Sequence, residues 1–306
     1  MDILLVTNMY PQEGKRSWEG SFIKEQVDAV IKSDSHIDYE LVHIKAKFSG
    51  GSNLQYFLAP FLIFWKFMKK KYTYIHCHHA FCVFVSFFLF KRIIYTVHEG
   101  ELNNSRTSIL IKLAIFLSHK CIYVNYQEYK RSNHPRRYFI PCGIDFDLFT
   151  PEKKNIEKTI FFPADPFREE KNAFLLKDIE PELRMHYPDF KVVYGGNILR
   201  KDMPIIMNNS FIVISIGKFE SDGLVGKEAM ALNVPLISTN VGNAAYYLND
   251  ESGIVIRPNS ISLLAAIKSI CNKRDDYTFG RARLKKLKID SKSTAKKIIS
   301  VYSDCK

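Results

Sequence analysis

Short apolar runs alternate along this chain with longer segments of helical spacing. DILLVTN is apolar almost throughout, the pattern of a strand buried on both faces, and YPQEGKRSWEGSF, punctuated by Pro and Gly, reads as a loop entering the helix IKEQVDAVIKS. DYELVHI is the next strand, LQYFLAPFLIFWKFMKKK a helix, YIHCHH a short strand, AFCVFVSFFLF an apolar helix, and RIIYTVH and KCIYVN two further strands. This alternation predicts an open, doubly wound parallel sheet. PCGIDFDLFTPEKK then breaks the pattern with Pro, Gly and a polar tail. Beyond it the cycle restarts, with TIFFPA, FKVVYGG and FIVISI as strands, GLVGKEAMAL as a helix, and PLIST and GIVI as the closing strands. The prediction is an α/β chain of two Rossmann-like domains, 1–150 and 151–290, divided near Pro151, with a C-terminal helix over 291–306 rejoining the first.

Length agrees, since 306 residues exceed what one core commonly organises. A hydrophobic content of 46% without low-complexity tracts excludes a disordered chain. Cys77, Cys82, Cys121, Cys142, Cys271 and Cys305 show no metal-ligand spacing, and the N-terminal segment does not read as a signal peptide, so a cytoplasmic location is expected. The net charge of +12 points to a polyanionic neighbour: a phosphorylated substrate, an anionic membrane surface or nucleic acid. Nucleic acid ranks last, because no recognition module is legible and the basic residues are spread through the chain. Residues 56–72, YFLAPFLIFWKFMKKKY, leave two readings open. Either the stretch lies on an anionic membrane with Lys69, Lys70 and Lys71 at headgroup level, peripheral to the inner face of the cell membrane, or it is a helix buried on the first sheet. It is too short to span a bilayer, and Pro60 interrupts it.

The candidate chemistry lies in ESDGLVGKE, residues 220–228, directly after the strand FIVISI. Glu220 falls just past the carboxyl end of that strand and Glu228 in the opening turns of the next helix. In open α/β sheets this edge collects ligands, and a helix N-terminus there offers free N–H groups and positive partial charge to phosphate. Gly223 and Gly226 are expected to let a ligand approach the backbone. Carboxylates on either side of a phosphate site suit a sugar nucleotide, which carries hydroxyls on both sides of its diphosphate.

With AMALNVPLISTNVGN following it, this E-x7-E segment resembles the retaining glycosyltransferases of family 4. RYFIPCGIDFDLFTP is similar to that family's hinge, FFPADPFREEKNAFLL to its phosphate-binding loop and YTVHEGE to its Thr-x-His segment. The resemblance implies the GT-B architecture, two Rossmann-like domains facing a central cleft. It assigns Glu228 to the nucleotide ribose, Glu220 to a hydroxyl of the donor sugar, and Arg168 and Lys171 to the diphosphate, with Gly223, Leu224 and Val225 also on the donor side. His98 corresponds to the histidine facing the donor sugar, and Gly20 and Glu101 fall where the acceptor side lies. Ser221 and Asp222 depart from the pattern and add a carboxylate near the donor sugar. Arg168 also departs, lying three residues before Lys171 where five is the commoner spacing.

His76, His78 and His79 cluster in YIHCHH, but no further ligand is spaced to complete a metal site, and they read as strand-end residues. The expectation is a metal-independent, retaining hexosyltransferase without a cofactor. It would move a sugar from a nucleotide-diphosphate donor to a glycan or polyprenyl-linked acceptor in cell-surface polysaccharide biosynthesis. Two alternatives stand beside it: a sugar-nucleotide epimerase of the same fold, and a non-enzymatic basic module that binds saccharide or nucleic acid.

Overall fold

The computed structural model describes the chain apart from residues 13–18, 46–50, 53, 90–91, 99–104, 153–156, 197, 278 and 305–306. It divides into two compact units, residues 1–143 with 291–306, and residues 144–290. The division falls between Gly143 and Ile144 rather than near Pro151. Ile144 and Phe149 are fully buried in a core of the second unit, so the stretch that reads as a linker in sequence is an entry segment with its own anchors.

In the first unit, β1 (Asp2–Thr7), α1 (Ser21–Ser33), β2 (Asp38–His43), α2 (Leu54–Lys69), β3 (Tyr74–Cys77) and α3 (Ala80–Phe87) follow one another. They continue through β4 (Ile93–Val97), α4 (Ser105–Leu117), β5 (Lys120–Tyr123), α5 (Tyr126–Arg131) and β6 (Arg137–Phe139). The described strands form one parallel sheet in the order β2-β1-β3-β4-β5-β6. Val6 lies opposite both Val42 and Cys77, and Cys77 opposite Tyr95, which brings the carboxyl ends of β1 to β4 to one edge. Leu4, Val6, Ile75, Ile93 and Tyr95 pack against α2, α3 and α4.

The second unit runs β7 (Thr159–Phe162), α6 (Ala173–His186), β8 (Lys191–Tyr194), α7 (Met203–Asn209), β9 (Ile212–Ser215) and α8 (Leu224–Ala231). β10 (Leu236–Thr239), α9 (Ala244–Tyr247), β11 (Gly253–Ile256), α10 (Ser260–Asn272) and α11 (Gly280–Leu287) complete it. Its parallel sheet has the order β11-β10-β9-β7-β8. Ile160, Phe162, Ile212 and Ile214 pack on α6 and α10, while Phe161, Val213 and Leu236 pack on the side of α8 and α11. Burial on both faces is why these strands read as unbroken apolar runs.

The chain then returns to the first unit with α12 (Ser291–Ser303), whose Ala295, Ile298 and Val301 cover Ile3, Ile94 and Ile122. Lys120, fully buried at the start of β5, donates to the carbonyls of Val301 (2.6 Å) and Asp304, carbonyls that the end of a helix leaves without partners.

The buried-helix reading of residues 56–72 is overturned in part. Of α2, Ala59 and Ile63 are buried, while Leu54, Phe57, Leu58, Phe61, Phe64, Trp65 and Met68 are exposed. Apolar residues occur around most of the helix, and a single sheet face can cover only one side of it. Pro60 lies within the first two turns and does not end the helix. Among the described residues, no helix is long and apolar enough to cross a membrane.

Candidate active site

β9 delivers the chain to the carboxyl edge of the second sheet, and the loop that follows is pinned from two sides. The Thr239 hydroxyl at the end of β10 donates to the Gly217 carbonyl (2.8 Å), and the Asn172 side chain at the start of α6 donates to that of Ile216 (3.0 Å). The Lys218 amide donates to the Glu170 carbonyl (2.8 Å), joining this loop to the 168–172 segment. α8 then starts behind Gly223, whose φ of +80° is a left-handed conformation that favours glycine.

Both glycines face the Tyr247 hydroxyl. A Cβ at Gly223 would stand 2.6 Å from the Tyr247 hydroxyl, and one at Gly226 2.7 Å from the same oxygen. Tyr247, buried on α9, therefore sets how closely α8 is approached from that side. The N-cap residue Gly223 offers α8 no side-chain hydrogen bond, and the first-turn amides of Leu224 and Val225 have no acceptor within the helix by its geometry.

Both glutamates are held by cations. The Lys171 ammonium contacts the Glu220 carboxylate, joining the 168–172 segment to the loop after β9. Glu228, 3% exposed, accepts from the Arg200 guanidinium at 2.5 Å, and Arg200 lies over the Phe149 ring with 4.9 Å to its centroid. A carboxylate this deeply buried requires such a partner. Arg168 makes a two-point contact with Glu170 at 2.6 Å and is more exposed than Lys171.

Asp222 does not stand free beside a donor sugar. Its side chain is 3% exposed, pairs with the fully buried Lys227 (2.5 Å) and accepts from Asn243 (2.5 Å). Burial would be costly for an isolated charge, and Lys227 with Asn243 turns Asp222 into a strut beneath the loop. The sequence marks GGNILRK, residues 195–201, as a candidate for base recognition, whereas the structure pairs its Arg200 with Glu228; no local pattern announces Arg200, Lys227 or Asn243 as partners of these carboxylates.

In the first unit, His98 follows β4 and is half-buried. Its Nε2 lies 3.3 Å from Nδ1 of His78, and its ring meets Phe22 with centroids 5.2 Å apart. His78 is buried, and desolvation, followed by the charges of His76 and His98, holds its pKa well below the usual histidine range. His76 bridges the Tyr302 hydroxyl (2.6 Å) and the Thr96 hydroxyl (2.7 Å), and burial pushes it down to about 3. His79 caps α3 by accepting from the Phe81 amide (3.2 Å). Among the described residues, no cluster of His, Cys, Asp and Glu could hold a metal ion.

Gly20 closes the loop before α1 with a φ of +72°, and a Cβ there would lie 2.6 Å from the Tyr10 amide nitrogen. That close approach accounts for the glycine. Glu101 lies outside the described residues.

Comparison with solved structures places the chain among two-lobed GT-B proteins. A sucrose-phosphate synthase from Thermosynechococcus elongatus aligns with a TM-score of 0.78 at 16% identity, over 99% of this chain and 98% of its own. Anabaena HepE in complex with UDP and glucose aligns at 0.71 and 15% identity, over 99% of each chain. A protein from Listeria monocytogenes described as a putative UDP-N-acetylglucosamine 2-epimerase aligns at 0.67 and 11% identity, over 98% of this chain and 95% of its own. No curated protein matches the sequence. Residues 188–283, which carry β9, α8, Arg200 and both glutamates, match the family described as Glycosyl transferases group 1.

Proposed function

We propose that the chain is a retaining glycosyltransferase, moving a hexose from a nucleotide-diphosphate sugar to a hydroxyl of a glycan or polyprenyl-linked acceptor without a metal. The observation that carries this reading is the pair Glu220–Lys171 beside the glycine-capped start of α8, with Glu220 and α8 inside the segment that matches glycosyl transferases group 1. In a sugar nucleotide, the sugar is attached directly to the distal phosphate. A carboxylate for a sugar hydroxyl and a cation for that phosphate must therefore be neighbours, and Glu220 and Lys171 are. Glu228, set within α8 and oriented by Arg200, suits the ribose on the other side of the diphosphate.

The leaving diphosphate gains charge as the glycosidic bond breaks. Lys171, Arg168 and the first amides of α8 supply positive potential where that charge grows, so they lower the barrier more than they tighten the ground state. The fold relatives whose structures hold UDP, or UDP with glucose, support a nucleotide sugar as donor. Retention proceeds by front-face transfer, with the leaving phosphate oxygens taking the acceptor proton. His98 is assigned to the donor sugar by resemblance, and Gly20 and Glu101 to the acceptor side. Cell-surface polysaccharide assembly in the cytoplasm is the expected setting.

One observation favours a second reading, the likeness to a protein described as a 2-epimerase. A single assay separates the two. The purified chain is incubated with UDP- and GDP-sugars, with and without EDTA, and the products are followed by NMR. Free or transferred sugar of unchanged anomeric configuration, insensitive to EDTA, supports retaining transfer. An isomerised sugar nucleotide supports epimerisation, and an inverted anomer overturns the proposed mechanism.

A further inference from the structure

α2, α3 and α4 form one layer over the first sheet, and their outer surface is unusually apolar. On α2, Phe57, Phe61, Trp65 and Met68 are 74%, 69%, 54% and 72% exposed, a spacing of three to four residues that keeps them on one helix face. The surface continues onto α3, where Phe81 meets Tyr56 of α2 with ring centroids 5.5 Å apart and Phe87 and Phe88 are exposed beyond it. It continues again onto α4, which packs on α3 and exposes Ile109 and Leu113, with Phe116 at 80%. Scattered apolar residues need no explanation, but a continuous set across three helices does.

Positive charge borders this surface at two places. At the end of α2, Lys66 is tied to Glu40 and Lys70 to Asp2 and Asp38. Lys69 instead lies over the Trp65 ring, 3.4 Å from its centroid, and it and Lys71 are exposed without an ion pair among the described residues. Beside α4, a cavity of about 940 Å³ opens between Phe116 and the segment after α5. Lys112, Arg131 and Arg136 line it with His119 and His134, against one lining carboxylate, Glu128, which pairs with Arg131 at 3.3 Å. Arg136 packs onto the His119 ring with a nitrogen 2.7 Å from Nδ1. The cavity adjoins the start of β5, the edge of the sheet opposite to His98.

We propose that this α2–α3–α4 face docks on an anionic lipid bilayer and that the cationic cavity beside Phe116 takes the phosphate of a lipid headgroup. Aromatic and aliphatic side chains flanked by lysines match the interfacial zone, where rings sit at headgroup depth and cations meet anionic phosphate. α2 has 16 residues, about 24 Å at the helical rise, and lies on the membrane rather than through it. The charge of +12 favours anionic over neutral lipid. The docking face belongs to elements outside the proposed donor site, so its test requires no turnover.

The full chain, with Trp18→Phe so that Trp65 alone reports, is mixed with vesicles of phosphatidylcholine and with vesicles of phosphatidylcholine and phosphatidylglycerol in equal parts. Co-sedimentation with the anionic vesicles, a blue shift of Trp65 emission and release by salt are expected. Phe57→Ser with Phe61→Ser, and separately Lys112→Glu with Arg131→Glu, should each lower partitioning about tenfold or more while circular dichroism stays unchanged. All four positions are exposed, so folding is not at risk. Equal binding to both vesicle types, or binding to neither, overturns the proposal. If Phe57→Ser with Phe61→Ser instead abolishes a dimer seen by light scattering and vesicle binding is absent, the face belongs to a second copy of the chain. If inorganic phosphate binds in a calorimeter, Lys112→Glu with Arg131→Glu removes that binding and vesicles are ignored, the cavity belongs to a soluble phosphate.

Discussion

At the scale of single residues, the two glutamates of the E-x7-E segment have different partners and should fail differently. Replacing Glu228 with Ala removes the acceptor proposed for ribose and also leaves Arg200 without its 2.5 Å partner. A lost hydrogen bond to a charged group costs roughly 1.5–3 kcal/mol, so calorimetry should show nucleoside diphosphate binding about 10- to 100-fold weaker. Unchanged affinity in the folded variant would remove the ribose assignment. Glu220→Ala and His98→Ala should instead lower kcat by about 10²–10³ with little change in KM, because a hydrogen bond that strengthens only in the transition state appears in turnover. Near-normal kcat in both variants would sink their assignment to the reacting sugar. Glu220 and Glu228 are legible in the sequence because eight residues of chain fix both to one loop and helix start. Arg200, Lys227 and Asn243 are not, since what pairs with a buried carboxylate depends on which distant segments the fold brings alongside. Asp222 shows the consequence: as a letter it is an extra carboxylate at the site, and in the structure it is neutralised beneath it.

At the scale of elements, β2, β3, β4 and α12 are joined by a chain of polar side chains. Tyr39 and Tyr302 share a hydrogen bond of 2.8 Å, Tyr302 meets His76, and His76 meets Thr96. The apolar run of β3 made the strand legible, but the partner of its histidine lies 226 residues away and no local pattern announces it. Burial holds the pKa of His76 near 3 in the folded chain against 6.5 when exposed, so between those values the unfolded state binds the proton that the native state refuses. Stability from this group is complete above about pH 6.5 and is lost as pH falls toward 3, amounting to about 2 kcal/mol between pH 6.5 and 5. His78, depressed for the same reason, acts in the same direction. Urea titrations at pH 7 and pH 5 should show the loss, and equal midpoints would contradict the assignment. Tyr302→Phe should cost about 1–3 kcal/mol at pH 7, since it strips a partner from a buried ring nitrogen. The strand-like reading of YIHCHH is thus sufficient for the fold and silent about the coupling.

At the scale of the whole molecule, the restart of the strand and helix cycle after PCGID shows two α/β units, because each sheet repeats its apolar code. The place of division is less legible, since Ile144 and Phe149 look like linker residues until a core closes around them. The exposed side of α2 is illegible for a related reason: an apolar letter gives the same signal whether a sheet covers it or nothing in the chain does. Binding is the property best measured on the intact chain, and a thermal-shift series resolves which part of a donor it grips. A ligand present at 100 times its dissociation constant adds about 2.7 kcal/mol, which for a unit of this size raises Tm by roughly 5–10 °C. Nucleoside diphosphates should produce such a shift with one base preferred, and the matching nucleoside, lacking phosphate, a much smaller one. Lys171→Ala should shrink the diphosphate shift and leave the nucleoside shift intact, because the ammonium addresses phosphate and not ribose. Glu228→Ala should reduce both. If Lys171→Ala instead lowers the two shifts equally, or leaves both unchanged, Lys171 is only the structural partner of Glu220, and the cation for the leaving diphosphate must be sought elsewhere on the second unit.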